Sequence, residues 1–413
     1  MKRIVLSACL ILYTIVACAQ LTSGTGKSYT NYTGIDYLFI FNGITPSSEI
    51  TYSGNDTNIN WYKYSDKTNS ISNQASLSPE DATGYILNDN DKETSAWVID
   101  FKNYLPAAST TFEPDLSASQ CTTVNLNLNP ELPLLTYKTP NNISYTMPRN
   151  CTITYNTLKW GGTAWQTKDT TLAINLPSGK ISVPAPYCTT TFTLSGDQFA
   201  KDLKIDTFKI TSATYTPEAV ICHITTNVTN RDHSRNNEVD APSHATPISF
   251  SAPIDVQFQS NANVPVTLYY NWEIYKDNIS LINRKEKDQR YTFTEAGTYK
   301  VKLTVSSNAT CSYSDSVTVI VSESALYVPN VFTPNGDGKD DEFRVTYKSL
   351  ISFQCWVYNR WGREVYSWTD PTKGWDGNIN GRKASPGPYF YIIKAVGSDK
   401  KVYKLKGDIN LLR

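Results

Sequence analysis

The sequence predicts an all-β protein, with several β-sandwiches in tandem closed by a small antiparallel β-sandwich at the C-terminus. Three observations predict it. Thr, Ser, Asn, Tyr and Val dominate the composition, with 27 Tyr and only 2 Met, and runs of helical periodicity are scarce. Apolar and polar residues alternate with period two in many segments, as in Tyr299, Val301, Leu303 and Val305 against Lys300, Lys302 and Thr304. The chain has 413 residues, too many for one ordinary sandwich and enough for three or four domains of about 100 residues each.

Lys plus Arg and Asp plus Glu both number 38, so the formal net charge is zero. There is no long basic stripe of the kind that tracks a phosphate backbone, which argues against nucleic acid as a partner. Residues 1–19 read as a signal peptide: Lys2 and Arg3, an apolar run from Ile4 to Val16, then Ala17-Cys18-Ala19 as a cleavage site before Gln20. An alternative takes Ile15-Val16-Ala17-Cys18 as a lipobox with a lipid on Cys18. Cleavage is preferred because the A-x-A match is complete and Leu suits the position of Ile15 better. No later run approaches the ~20 apolar residues of a membrane span, so the body of the protein is expected to be exported and soluble.

Without the leader, Cys121, Cys151, Cys188, Cys222, Cys311 and Cys355 remain. An exported chain can oxidise them, and six cysteines allow 15 connectivities. Cys355 shares a strand face with Phe353 and Val357 and is expected as a buried thiol. Cys121, Cys151, Cys188 and Cys222 fall in one region and are the expected disulfide set.

Residues 20–117 are expected to form the first sandwich. Ile35 to Phe41 is a strand turned by Asn42-Gly43, while Asn60 to Tyr64 and Ser95 to Phe101 each carry a Trp. Trp61-Tyr62-Lys63 followed by Asp81-Ala82-Thr83-Gly84-Tyr85 resembles the central and late strands of an immunoglobulin-like domain. The resemblance implies that the Trp fills the core and the Tyr braces a corner.

Residues 118–243 predict a β-rich domain whose residues name no family. Val124, Leu126 and Leu128 alternate with Asn125, Asn127 and Asn129, and Ile153 and Tyr155 with Thr152 and Thr154. Pro130, Pro133, Pro140 and Pro148 punctuate the loops, and Trp160-Gly161-Gly162 marks a hairpin or bulge. Asn227 to Pro247 is polar and reads as a linker or long loop. His223, His233 and His244 lie in or beside it with Asp232, Glu238 and Asp240, but no His-x-x-x-His or Cys-x-x-Cys spacing supports a metal site.

Residues 244–323 carry an early strand with Val256 and Phe258, a central one with Trp272 and Ile274, and the run Phe293-Thr294-Glu295-Ala296-Gly297-Thr298-Tyr299 leading into the alternating strand above. These segments and the last strand, Ser316 to Val321, resemble a PKD domain, which implies a spacer or interaction module.

Residues 324–413 open with Val328-Pro329-Asn330-Val331-Phe332-Thr333-Pro334, extended by its prolines and strand formers. Asn335-Gly336 and Asp337-Gly338 tolerate positive φ and turn the chain. Ile351, Phe353, Cys355 and Val357 then alternate with Ser352, Gln354, Trp356 and Tyr358. The segments VPNVFTPNGDGKDDEF, VYNRWGREVY, GWDGNINGRKASPGPYFYII and GDINLLR resemble the gliding motility-associated C-terminal domain, the type B sorting domain of the type IX secretion system. The resemblance implies a sorting signal in which Asn335, Gly336, Asp337, Gly338, Arg360, Trp361, Gly362, Trp375, Asp376, Gly377, Gly407 and Arg413 take part. It further implies a Bacteroidetes-type bacterium, export across the inner membrane by the leader, then delivery to the cell surface or medium by the type IX translocon and an outer-membrane-associated partner. With only Ser322-Glu323-Ser324-Ala325 joining it to the preceding module, the domain is expected to fold as a separate unit.

Little in the sequence points to catalysis, and no cofactor is expected. Gly-x-Ser-x-Gly and His-Glu-x-x-His are absent from the sequence. Gly24-Thr25-Gly26-Lys27-Ser28 resembles the end of a phosphate loop, but Leu21 stands at its first glycine. Asp89 with Asp91, or Asp340 with Asp341, are ordinary loop acids rather than a glycosidase pair. Asn335, Asp337, Asp340 and Asp341 have the alternation of a calcium loop, yet Lys339 holds the fifth position and a simple turn is preferred. The expected function is that of a non-catalytic, adhesin-like surface or envelope protein with a glycan or protein ligand, and Trp160, Trp165 and Tyr187 are candidates for its binding face. The alternative is a secreted carbohydrate-active or peptide-processing enzyme with its active site in residues 118–243.

Overall fold

The computed structural model describes residues 20–54, 58–117, 120–177, 180–231, 237–244, 248–307 and 311–413. The leader, Asp232 and His233 lie outside the described residues. The chain divides into two compact units, one of residues up to 118 with 123–157 and 167–216, the other of 119–122, 158–166 and 217–413. Nearly all regular structure is strand, and no described helix is long and apolar enough to cross a membrane.

In the first unit, a five-stranded sheet in the order Lys27–Tyr29, Tyr37–Phe41, Lys92–Asp100, Thr83–Asp89, Ile59–Lys63 opposes Leu21–Thr22, Ile50–Tyr52 and Ser76–Leu77. Trp61 is fully buried between them, its indole N–H donating to the Gln74 carbonyl at 3.0 Å. The Tyr85 hydroxyl accepts from the Glu80 amide at 2.9 Å and braces the corner. Tyr37–Phe41 and the Ala96–Asp100 half of Lys92–Asp100 pair in parallel and are buried on both faces, which is why their sequences show apolar runs rather than alternation. Phe39, Phe41 and Val98 face the sandwich core, whereas Leu38, Ile40, Trp97 and Ile99 face a second core with Leu135, Tyr137, Met147 and Phe199.

The rest of this unit forms most of a second sandwich, whose 158–166 hairpin belongs to the other unit. Thr111–Pro114, Thr123–Asn129 and Ile181–Pro184 form one sheet, and Arg149–Trp160, Trp165–Leu176, Thr193–Ser195 and Lys209–Thr211 the other. Its one short helix, Gln198–Asp202, starts at Asp197, whose carboxylate accepts from the Phe199 and Ala200 amides and so satisfies two free N–H groups.

In the second unit, Thr225–Val228, Ile254–Gln259 and Gln289–Phe293 pack against a five-stranded sheet of Ile248–Phe250, Ser312–Val321, Gly297–Ser306, Tyr269–Lys276 and Ile279–Arg284. Thr225–Val228 takes the first two residues of the segment read as a linker or long loop, and Val220, Cys222, Ile224 and Val228 belong to this core, so the third core draws on residues expected in the second domain. Trp272 fills its centre, and Tyr299, Val301, Leu303 and Val305 all point inward. The expected disulfide set is also corrected, because Cys121 is bonded to Cys311, while Cys151, Cys188, Cys222 and Cys355 are free. Spacing along the chain hid this pair, which is 190 residues apart.

The C-terminal sandwich has a five-stranded sheet in the order Val331–Phe332, Val402–Leu411, Gly387–Gly397, Leu350–Tyr358, Glu364–Trp368. Phe353, Cys355 and Val357 point inward as expected. Ile351 does not: a bulge between Leu350 and Ser352 shifts the register, burying Leu350 and leaving Ile351 54% exposed. The expectation of a separate unit on a short linker is corrected too. Tyr347 donates its amide to the Asn237 carbonyl at 3.1 Å and accepts from the Val239 amide at 2.8 Å, so residues 237–239 extend the Ala325–Tyr327 and Thr346–Lys348 pair. Lys348 pairs with Asp240, and the Ser398 amide and carbonyl bond to Ser349 and Ala296.

Candidate functional site

The residues singled out in the C-terminal sandwich fall into three groups. In the first turn, Asn335 Oδ1 accepts from the Asp337 amide at 3.0 Å and Asp337 Oδ1 from the Lys339 amide at 2.8 Å. The Asp341 carboxylate accepts from the amides of Gly336 at 2.7 Å and Gly338 at 2.8 Å. Gly336 and Gly338 have φ of +87° and +84°, a region that costs other residues strain. The Lys339 amide, with Asn335, holds the Asp337 carboxyl below its usual range. Asp337 and Asp341 therefore serve the backbone of their own turn.

The second group is built around a buried tryptophan. Trp375 is fully buried against Phe332 and Tyr389, with ring centroids 5.4 and 4.9 Å away, and its indole donates to the Asn378 carbonyl at 2.8 Å. Asp376 accepts from the Asn378 amide at 3.0 Å. Arg413 Nη2 reaches the Gly377 carbonyl at 3.0 Å, tying the last residue to this turn. Gly407 lies under Tyr391, where a Cβ would stand 2.6 Å from the hydroxyl.

The third group faces solvent. Trp361, at the tip of the hairpin joining Leu350–Tyr358 to Glu364–Trp368, is 78% exposed. Asn359 Oδ1 accepts from the amides of Trp361 and Arg363 at 3.0 and 3.1 Å, fixing the turn. The Arg360 guanidinium lies over the Trp361 ring at 4.8 Å. Beside it is a groove of about 250 Å3 lined by Arg360, Trp361, Arg382, Lys383, Pro388 and Tyr389. Alternation along Leu350–Tyr358 also puts Trp356 and Tyr358 on the solvent side. Their aromatic character is the signal in the sequence, and its meaning emerges only when Phe390 and Ile392 appear beside them.

The second sandwich contains a cavity of about 510 Å3 whose lining is rich in leucines, with Arg149 among its walls. Arg149 is buried and pairs with buried Asp197 at 2.6 Å, donates to the Tyr104 carbonyl at 2.8 Å and lies 5.6 Å from the rings of Phe101 and Phe208. Trp160 and Trp165 pack edge to face at 5.2 Å, Trp160 also lies tilted against His223 with ring centroids 4.7 Å apart, and the Trp165 indole donates to the Asn261 carbonyl at 2.7 Å. Both are thus engaged in packing. Tyr187 is half-buried. His244 is exposed, while Glu238 pairs with Arg231 and Asp240 with Lys348. Among the described residues, no three His, Cys, Asp or Glu side chains are placed to hold a metal ion.

Two family models match the chain. The "CHU_C Type IX secretion signal domain" matches residues 326–411. The C-terminal sandwich is a type IX secretion signal domain. The second model, "Fibronectin type III domain", matches residues 113–212 and supplies the family that the sequence left open for the second sandwich. Similar solved structures include a tetra-tandem repeat in the extending region of a large adhesion protein, at 10% identity and TM-score 0.21, covering 91% of this chain and 98% of that one. The FN1-FN3 domains of chicken CNTN1 align at 10% identity and TM-score 0.22, over 73% and 100% of the two chains. Latent PorU from Porphyromonas gingivalis aligns at 9% and 0.16, over 77% and 35%. Similarities at this level carry no functional information. No curated protein matches the chain. The signal domain implies export by the type IX system, and neither matched family is catalytic.

Proposed function

We propose that the protein is a non-catalytic, adhesin-like surface or secreted protein whose signal domain is its address. The observation that carries this reading is the signal domain at residues 326–411, placed after sandwiches of fibronectin and immunoglobulin type. In this reading the leader takes the chain to the periplasm, and the translocon with an outer-membrane-associated partner takes it further. The buried residues Trp375 and Gly377, with Gly407 and Arg413 beside them, set the shape of the domain. Arg360, Trp361 and Gly362 at the exposed tip, with the Asn335 to Gly338 turn, are what a partner can touch. The sandwiches ahead of it serve as stalk and binding face for a glycan or protein.

Deletion of residues 325–413 tests the address. The truncated chain is expected in the periplasm, protease-resistant, while the intact chain reaches the surface or medium. Equal surface delivery of both would refute the sorting role. A glycan and protein array probed with the intact chain addresses the ligand.

A further inference from the structure

The signal domain turns one face of its five-stranded sheet to solvent, and that face is not a typical solvent face. Cross-strand register sets it out row by row. Tyr358 pairs with Phe390 and Phe390 with Asp408; Trp356 pairs with Ile392 and Ile392 with Lys406; Gln354 pairs with Lys394 and Lys394 with Lys404. Phe390 is 47% and Ile392 41% exposed, and Trp356 and Tyr358 are half-exposed beside them. The buried faces of the same strands belong to Cys355, Val357, Ile393 and Ile409, so these four residues contribute nothing to the core.

The polar positions on this face are equally unusual. Lys394 and Lys404 stand directly opposite each other, an arrangement that costs stability in a sheet because like charges repel across the pair. Lys406 follows on the same side of its strand. Lys394 finds partial relief over the Trp356 ring, 5.6 Å from its centroid. The acids Asp408 and Glu364 sit at the other end, in register with Phe390 and Tyr358. The face is therefore polarised in rows, with Asp408 and Glu364 beside Phe390 and Tyr358, then Trp356 and Ile392 with Lys406, then Lys394 with Lys404, and exposed Val402 beyond them.

We propose that this face is the docking surface for a protein of the export apparatus, one that presents an apolar centre and an acidic rim opposite Lys394, Lys404 and Lys406. The inference rests on the reading of this domain as a sorting signal. Covering Phe390 and Ile392 supplies the apolar gain, acidic groups relieve the opposed lysines, and the polarity of the face fixes the partner's orientation.

The test uses the full chain in a host with a working type IX system, measuring the fraction delivered to surface and medium. F390T/I392T and K404E/K406E are each expected to lower delivery by about tenfold or more, with the charge reversal worse than K404Q/K406Q. I279T/L281T, on an exposed strand of the third sandwich, is the control and is expected to export normally. All these positions are exposed, and unchanged melting of the purified variants separates docking from folding. Normal export of both face variants, with the 325–413 deletion still retained, would overturn this inference and leave the sorting reading intact. Export of the deletion itself would remove the reading on which it rests. A wild-type dimer in sedimentation that F390T/I392T disperses would assign the face to a second copy of the chain. Binding to phosphatidylglycerol vesicles that K404E/K406E abolishes would assign it to lipid. Either result would overturn the proposal.

Discussion

Ser251 and Ser349, both fully buried, are joined by a hydrogen bond where the third sandwich meets the signal domain. The Ser349 amide donates to Ser251 Oγ at 2.7 Å, and Ser349 Oγ accepts from the Ala252 amide at 3.0 Å. Two buried amides thus depend on two hydroxyls from opposite sides of a module boundary, which makes the signal domain a docked neighbour of the cargo.

Ser349→Ala leaves the Ala252 amide without its acceptor, and Ser251→Ala does the same to the Ser349 amide. Each is expected to cost about 1–3 kcal/mol. Because the groups share one site, the double variant should lose less than the sum. Urea unfolding of the full chain measures the coupling, and additive losses would mean that the two serines act independently.

Non-reducing peptide mapping is expected to recover Cys121 joined to Cys311, and C121S/C311S to lose about 2–4 kcal/mol. Burial pushes the Cys151 and Cys222 thiols up to about 12 and that of Cys355 higher still. At pH 8 all three should resist maleimide in the folded chain, and half-buried Cys188 should label first.

Trp361 and Trp375 should separate recognition from folding. Trp375→Ala empties a fully buried site and is expected to cost about 3–5 kcal/mol. Trp361→Ala at the exposed tip should change stability by no more than about 0.5 kcal/mol while reducing export. Melting curves and surface fractions of the two variants, read together, decide it.

Asp399 gives the junction an acid-side dependence. Burial raises its pKa, but hydrogen bonds from the Ser324 hydroxyl at 2.7 Å and the Lys401 amide at 3.1 Å outweigh this and hold it below the usual carboxylate range. A depressed folded pKa stabilises the fold above the unfolded value, and this contribution is lost as pH falls through the folded one. Asp399→Asn should therefore destabilise at pH 6, and the difference from wild type should shrink as pH falls through the depressed folded pKa. A constant difference across that range would assign the effect to packing instead.

Removing one partner of the Arg149–Asp197 pair leaves the other uncompensated. Asp197→Asn is expected to lose about 3–5 kcal/mol, since both side chains are almost wholly shielded from solvent and Asp197 also caps the short helix. Calorimetry of the full chain should show the loss as a lower melting temperature for the unit that holds the pair.

The sequence by itself determined most of the strands and, where no bulge shifts the register as at Ile351, which way their side chains point. The alternation of Tyr299 to Val305 and the turn at Gly336 and Gly338 are local consequences of period and backbone preference, whereas the core place of Trp61 and the bracing Tyr85 were read from the resemblance to an immunoglobulin-like domain. The motifs of the signal domain were legible for the same reason, since its turns and buried Trp375 leave a contiguous imprint. Tertiary structure alone decided what covers each face. Leu38, Ile40, Trp97 and Ile99 are buried by Leu135 and Phe199, Cys121 meets Cys311, Thr225–Val228 joins the third core, and Ser251 meets Ser349. Period states that a side is apolar or polar, but says nothing about which distant segment arrives there. That choice is made by packing the whole chain, which satisfies buried amides and apolar faces together.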